Sequence, residues 1–212
     1  MVHTFSQRLL KWRYDYFWWR THVGVLQKVA LVVAMACLTG LAAQVKLFLP
    51  FTPVPVTGQT FAVLLSGVLL GRRWGGLSQL FYLGVGVLGI PWFAGFSSGL
   101  SVIWGPTGGY MIGFVFAAFF LGSVTDRYVG ARRLRNIFLL MLLANFVFIY
   151  VPGLLQLGLW VSFVQGASPS LHEFLWMGFY PFIPGAIFKS ALAAVTATLI
   201  TPKRPYGDEI DA

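Results

Sequence analysis

One cationic side chain, Lys189, stands in the stretch YPFIPGAIFKS (residues 180 to 190), and the eleven residues that follow, ALAAVTATLIT, carry no charge. An ammonium is costly in hydrocarbon and rarely sits there without a task. Two readings are open: an anion-binding group in a pocket facing the outside, or a lysine whose stem lies in the apolar layer while its head snorkels to the outer headgroups. Glu173, the nearest candidate acid, precedes Pro181 and Pro184. A helical ion pair with it is therefore not expected, and a substrate carboxylate is the natural partner.

The rest of the chain offers little other chemistry. His172 beside Glu173 is a weak acid/base suggestion, and no Ser-His-Asp order, paired carboxylates on one span or HExxH motif accompanies it. GPTGGY (residues 105 to 110) lacks the Lys-Ser/Thr that completes a P-loop. Its glycines suit close backbone approach, to a ligand or to a neighbouring helix. The single cysteine, Cys37, allows neither an intrachain disulfide nor a Cys-based metal site. No cofactor is expected. Without an ATP-binding motif, active transport would draw its energy from another chain or an ion gradient, and the lack of intramembrane acids for ion coupling weakens the second.

What must position Lys189 is a membrane bundle. Of 212 residues, 58% are hydrophobic and 10% charged, with mean hydropathy +0.77. Soluble domains hold about 25% charged residues. The formal net charge of +9 falls in short clusters between apolar runs rather than on one soluble face, which argues for topology and against nucleic acid.

Six spans are expected, at about 23–43, 59–70, 74–88, 107–124, 137–159 and 184–201. The second is short enough to be tilted or partly re-entrant. Pro50, Pro53 and Pro55 force an extended, stiff loop between the first two. A bend at Pro152-Gly153 is expected in the fifth, and Pro184-Gly185 suits the first turn of the sixth. Of the 15 Lys and Arg, all but Lys46 and Lys189 lie in the tails, at Lys28, or in the loops after spans two and four. The positive-inside rule makes those segments, and both termini, cytoplasmic. Lys189 then lies about one and a half turns below the outer end of its span and about 18 Å from the inner end.

Residues 1–22 interleave Trp12, Tyr16 and Trp19 with basic residues, fitting a helix in the inner headgroup layer or a basic tail with an aromatic belt. Residues 23–201 form the membrane domain and 202–212 a cytoplasmic tail. Ala30 and Ala34, and likewise Ala36 and Gly40, are small residues four apart that let another helix approach.

PFTPVPVTGQTFAVLLSGVLLG, YLGVGVLGIPWFAG, GLSVIWGPTGGYMIGF and PFIPGAIFK, in this order and spacing, resemble the BioY biotin transport proteins. These are S components, the substrate-capture subunits of energy-coupling-factor transporters, and the resemblance covers about residues 24–201. It implies an all-α, six-helix S-component fold in the bacterial cytoplasmic membrane. It also implies a biotin site near the outer face closed by the loop after span one, and no enzymatic activity. The Ala30 and Ala34 face would dock on a transmembrane coupling subunit driven by two ATPases. Biotin would bring a carboxylate for Lys189, an uncharged ureido head and an apolar ring and chain. Gln59, Gln79, Tyr82, Thr107 and Tyr110 are the polar residues expected near it. The family usually carries Asp three residues before this lysine, and here that position is Ala186. Either an alternative partner for the ammonium, such as Gln79 or Tyr82 through water, or an altered ligand preference is then expected. The rival readings are an S component for another carboxylated vitamin, such as lipoate or pantothenate, and a membrane-embedded enzyme using His172 and Glu173.

Overall fold

The computed structural model describes the backbone of residues 2–206 and the side chains of 7, 8 and 10–206. The last part of the expected tail, 207–212, lies outside the described residues, as does the side chain of His3. The chain is helical nearly throughout, as backbone in an apolar layer must be to satisfy its own hydrogen bonds. α1 spans Val2–His22 and α2 Val25–Gln44. A two-residue hairpin pairs β1 (Lys46–Leu47) with β2 (Val56–Thr57), antiparallel. α3 runs Gln59–Val87, α4 Leu100–Trp104 and α5 Gly108–Arg127. α6 (Leu134–Leu143), α7 (Val151–Phe163), α8 (Leu171–Gly178) and α9 (Ile183–Ile200) follow.

Among the described residues, four helical segments are long and apolar enough to cross a membrane: Val25–Gln44, Gly108–Arg127, Leu134–Phe163 and Leu171–Ile200. α3 is divided into two shorter arms. The sequence suggests a charged loop, Gly71-Arg72-Arg73, between spans two and three; instead the chain reverses at Gly71 alone, at φ 81° and ψ −178°. The reversal is visible in the contact from Gln59 Nε2 to the Tyr82 hydroxyl, 2.8 Å, between residues that would lie about 34 Å apart along a straight helix. The arms are about 18 Å and about 24 Å long. Gly75 abuts the Gly67 backbone and the Ser66 carbonyl, so the two arms touch, while Gly67 itself faces the Ala118 backbone further along the chain.

A bend in lipid exposes carbonyls at the end of one helix and N–H groups at the start of the next. One ion pair covers both. Arg20 donates through Nη1 to the Val68 and Leu69 carbonyls, at 3.2 and 3.0 Å. Its Nη2 donates to Asp126, at 2.7 Å, and to the Tyr206 hydroxyl, at 2.5 Å. The other Asp126 oxygen accepts from the Arg72 backbone N–H at 2.9 Å. Arg20 comes from α1, whose Arg13, Phe17 and Arg20, at helical spacing, form its buried face. Residues 2–22 are thus a helix packed on the bundle, with Trp12, Tyr14, Trp18 and Trp19 exposed. The ends of α1, α5 and the described C-terminal segment meet at this basic face, which is the cytoplasmic one.

The expected bend at Pro152-Gly153 takes a different form. Pro152 has no N–H for the Phe148 carbonyl, and the turn upstream widens into a π-helix over Ala144–Tyr150. At α9, Pro184 lies in the first turn as expected.

Gly71→Ala should lower the thermal unfolding midpoint in detergent by several degrees or abolish folding. Its φ disfavours a side chain, and the added carbon would meet Asp126 and Arg20. Gly84→Ala, in the same helix with no heavy atom near its added carbon, should be neutral or slightly stabilising. Equal midpoints for the two variants would contradict this account of the bend.

Candidate functional site

At the end of the molecule opposite Arg20 lies a cavity of about 310 Å3. Its wall is largely aromatic and aliphatic, including Phe93, Tyr110, Phe114, Tyr150 and Phe182. The Pro-rich hairpin loop forms one side through Pro53, Val54, Pro55 and Val56. That loop is anchored: Val54 is buried in the core, and the Thr52 hydroxyl donates to the Met177 carbonyl at the end of α8. Among the described residues the lining holds one charge, Lys189, and no acid.

Lys189 is half-buried, and its Nζ donates to the Thr57 carbonyl at 2.7 Å. The direct partner of the ammonium is thus a backbone carbonyl, rather than Gln79 or Tyr82. Thr57 lies in β2, so the lysine of the last span holds down the loop after the first. Ala186 is buried in the core and contributes no polar group.

Two helices begin at the cavity. Gln59 and Thr60 are the first residues of α3, and Thr107 is the N-cap of α5. All three line the cavity. Helix N-termini carry partial positive charge, so with Lys189 they favour a carboxylate here. Gly108 and Gly109 face the Ile103 and Pro152 carbonyls, whereas Gly105, Pro106 and Thr107 line the cavity. GPTGGY is thus divided, its first half lining the cavity and its second half in helix contact.

Of the residues expected near the ligand, Lys189, Gln59, Thr107 and Tyr110 line the cavity. Tyr110 is fixed by its hydroxyl, which donates to the Gly178 carbonyl at 2.8 Å. Tyr82 stands one layer behind: its hydroxyl accepts from Gln59 at 2.8 Å and donates to the Trp92 carbonyl at 3.3 Å. It orients Gln59 rather than touching the space. Gln79 does not line the cavity. It is fully buried against α2, with Nε2 donating to Thr39 at 3.3 Å and to Ser78 at 3.2 Å.

Thr60, Ser97 and Ser101 are cavity residues that the sequence reading missed. Thr60 is the most telling, because its buried hydroxyl has no hydrogen-bond partner within the protein. A buried polar atom left open in a cavity wall calls for a partner supplied by ligand or water. The available signal was position: Thr60 follows Gln59 in the first turn of a helix that opens on the Pro-rich loop.

His172 and Glu173 lie on α8, exposed. The Glu173 carboxylate accepts from the Ser170 backbone N–H at 2.8 Å and closes a capping box, while Trp176 Nε1 donates to the His172 ring at 3.2 Å. Both side chains serve the local helix. On α2, Ala30 and Ala34 are exposed, whereas Ala36 and Gly40 face the core, Gly40 against Trp92. The two small-residue pairs thus lie on different faces.

The family model described as BioY family matches residues 11–206 and so reaches into α1. A Methanothermobacter thermautotrophicus protein named "Probable biotin transporter BioY" is 53% identical over 147 residues, 69% of this chain and 94% of its own. A Thermotoga maritima protein named "Biotin transporter BioY" is 34% identical over 149 residues, covering 70% and 82%. A crystal structure of the S-component for biotin from an ECF-type ABC transporter superposes with TM-score 0.65 over 83% of this chain and 93% of its own, at 24% identity. At that identity the likeness speaks for the fold alone.

If Lys189 fastens the loop, Lys189→Met should raise amide hydrogen exchange across residues 46–58 in the ligand-free protein and leave α2 unchanged. Unaltered exchange in that loop would contradict the role of the Lys189 to Thr57 bond.

Proposed function

This chain belongs to the BioY family, and on that premise we propose that it captures biotin at the outer face of the membrane and delivers it for uptake, without catalysing a reaction. It is an all-α, multi-pass protein of the plasma membrane. The observation that carries the proposal is the lone ammonium of Lys189 in an otherwise uncharged, mostly apolar cavity. A ligand with one carboxylate and a large apolar body complements such a cavity.

Biotin meets these terms. Its carboxylate pairs with Lys189, and the partial charges of the two helix starts assist. Its ring and chain lie among Phe93, Phe114, Tyr110 and Tyr150, and the ureido group bonds Thr60, Gln59 and Thr107. The Pro-rich loop closes the outer side. Energy comes from partner chains, a transmembrane coupling subunit and its ATPases, that dock on the exposed Ala30 and Ala34 face of α2. The engagement of His172 and Glu173 in their own helix supports a binding subunit over an enzyme.

Radiolabelled biotin binding to the purified chain tests the reading. Lys189→Ala should weaken it about 10- to 100-fold, the worth of a charge-assisted hydrogen bond. Biotin amide should bind the wild type about as weakly as biotin binds the variant. Equal biotin affinity for both proteins would remove Lys189 from the site, and stronger binding of lipoate or pantothenate would reassign the ligand. Separately, Ala30→Leu together with Ala34→Leu should keep biotin affinity within about twofold while abolishing co-purification with the coupling subunit, because the added branches block close helix approach. Undiminished co-purification would place that interface elsewhere.

A further inference from the structure

On the cytoplasmic side a second cavity, about 290 Å3, opens between the α1–α2 junction and the bend of α3. Four cations line it, Arg20, Lys28, Arg72 and Arg73, against one carboxylate, Asp126. Arg20 and Asp126 neutralise each other across 2.7 Å, the one ion pair among the described residues. Among the described residues, three charges are left. There, Lys28 donates to the Thr21 carbonyl, at 3.3 Å, and Arg72 rests over the Phe119 ring at 4.7 Å. Neither contact cancels a charge.

Two further features add to the positive field. α2 and the second arm of α3 both start here, and their first turns carry partial positive charge. Val25 and Leu26, at the start of α2, are apolar and 69% and 84% exposed, which suits contact with lipid chains. Half-buried Trp74 forms part of the wall, and indoles favour the headgroup layer.

We propose that this cavity binds a phosphate group, carried by an anionic phospholipid of the inner leaflet whose chains lie along α2. Guanidinium groups match phosphate oxygens in geometry as well as charge, and basic pockets at the inner ends of membrane helices suit such headgroups. The site is separate from the carboxylate cavity, so its test does not depend on biotin. A phosphate seated there ties α1 and α2 to the α3 bend, beside the inner end of the Ala30 and Ala34 face.

Native mass spectrometry of the purified full chain, titrated with phosphatidylglycerol or phosphatidylcholine, tests this. One phosphatidylglycerol should be retained in preference to phosphatidylcholine. Lys28→Gln with Arg73→Gln should weaken its binding about thirtyfold. Arg133→Gln with Arg135→Gln, removing equal charge from exposed cytoplasmic positions outside the cavity, should leave it unchanged. Failure of excess inorganic phosphate to displace the lipid assigns a lipid-borne phosphate; displacement at matched concentration assigns the free ion to the same groups. Equal losses in the two double variants would overturn the proposal, as would retention of both lipids alike. Phosphatidylglycerol binding that emerges only when residues 207–212 are removed would also overturn it.

Discussion

A bilayer gives no hydrogen bonds to a broken helix, so every helix end placed within it must find partners in the protein. That constraint organises this molecule. At the inner face the bend of α3 is closed by Arg20 and Asp126, one supplying donors to the Val68 and Leu69 carbonyls, the other an acceptor for the Arg72 N–H. Neither residue belongs to α3, so the open groups of the bend are satisfied from α1 and α5. Breaking such a pair leaves a charge without its partner, which costs far more than the pair contributes relative to apolar packing.

At the outer face the same constraint has the opposite solution. The starts of α3 and α5 open on a cavity, and Thr60 there has an unpartnered hydroxyl. Discontinuous membrane helices commonly turn their positive ends toward an anionic substrate group. The hairpin geometry explains how: with a first arm of only about 18 Å, α3 starts below the outer surface and leaves room for the Pro-rich loop to descend onto Lys189. A short span, a buried loop and a lysine in the last helix are therefore one arrangement.

Much of this was legible in the sequence. Lys189 stood out because an isolated charge in an apolar run is costly, and Pro184 marked the start of its helix because proline is tolerated there. The hairpin was harder to read. Gly71-Arg72-Arg73 looks like a cytoplasmic loop, and only the fold reveals that a single glycine turns the chain while both arginines already belong to the next arm. Gln79 was misplaced because polarity alone does not say which neighbour a helical face meets; its face packs against Thr39 of α2. The partner of Lys189 escaped notice because a backbone carbonyl has no sequence signature. With Ala186 offering no polar group, the Thr57 carbonyl is the hydrogen-bond partner of the ammonium, which ties the last helix to the loop.

The central claim is that Lys189 meets the ligand carboxylate while its loop contact closes the cavity. An experimental structure of the purified chain with biotin bound tests it most directly. The account predicts a carboxylate oxygen within about 3 Å of Lys189 Nζ, with the Pro-rich loop seated over the cavity and Thr60 bonded to the ligand. Biotin lying with its carboxylate turned away from Lys189, or outside the cavity bounded by Phe93, Tyr110 and Phe182, would contradict it.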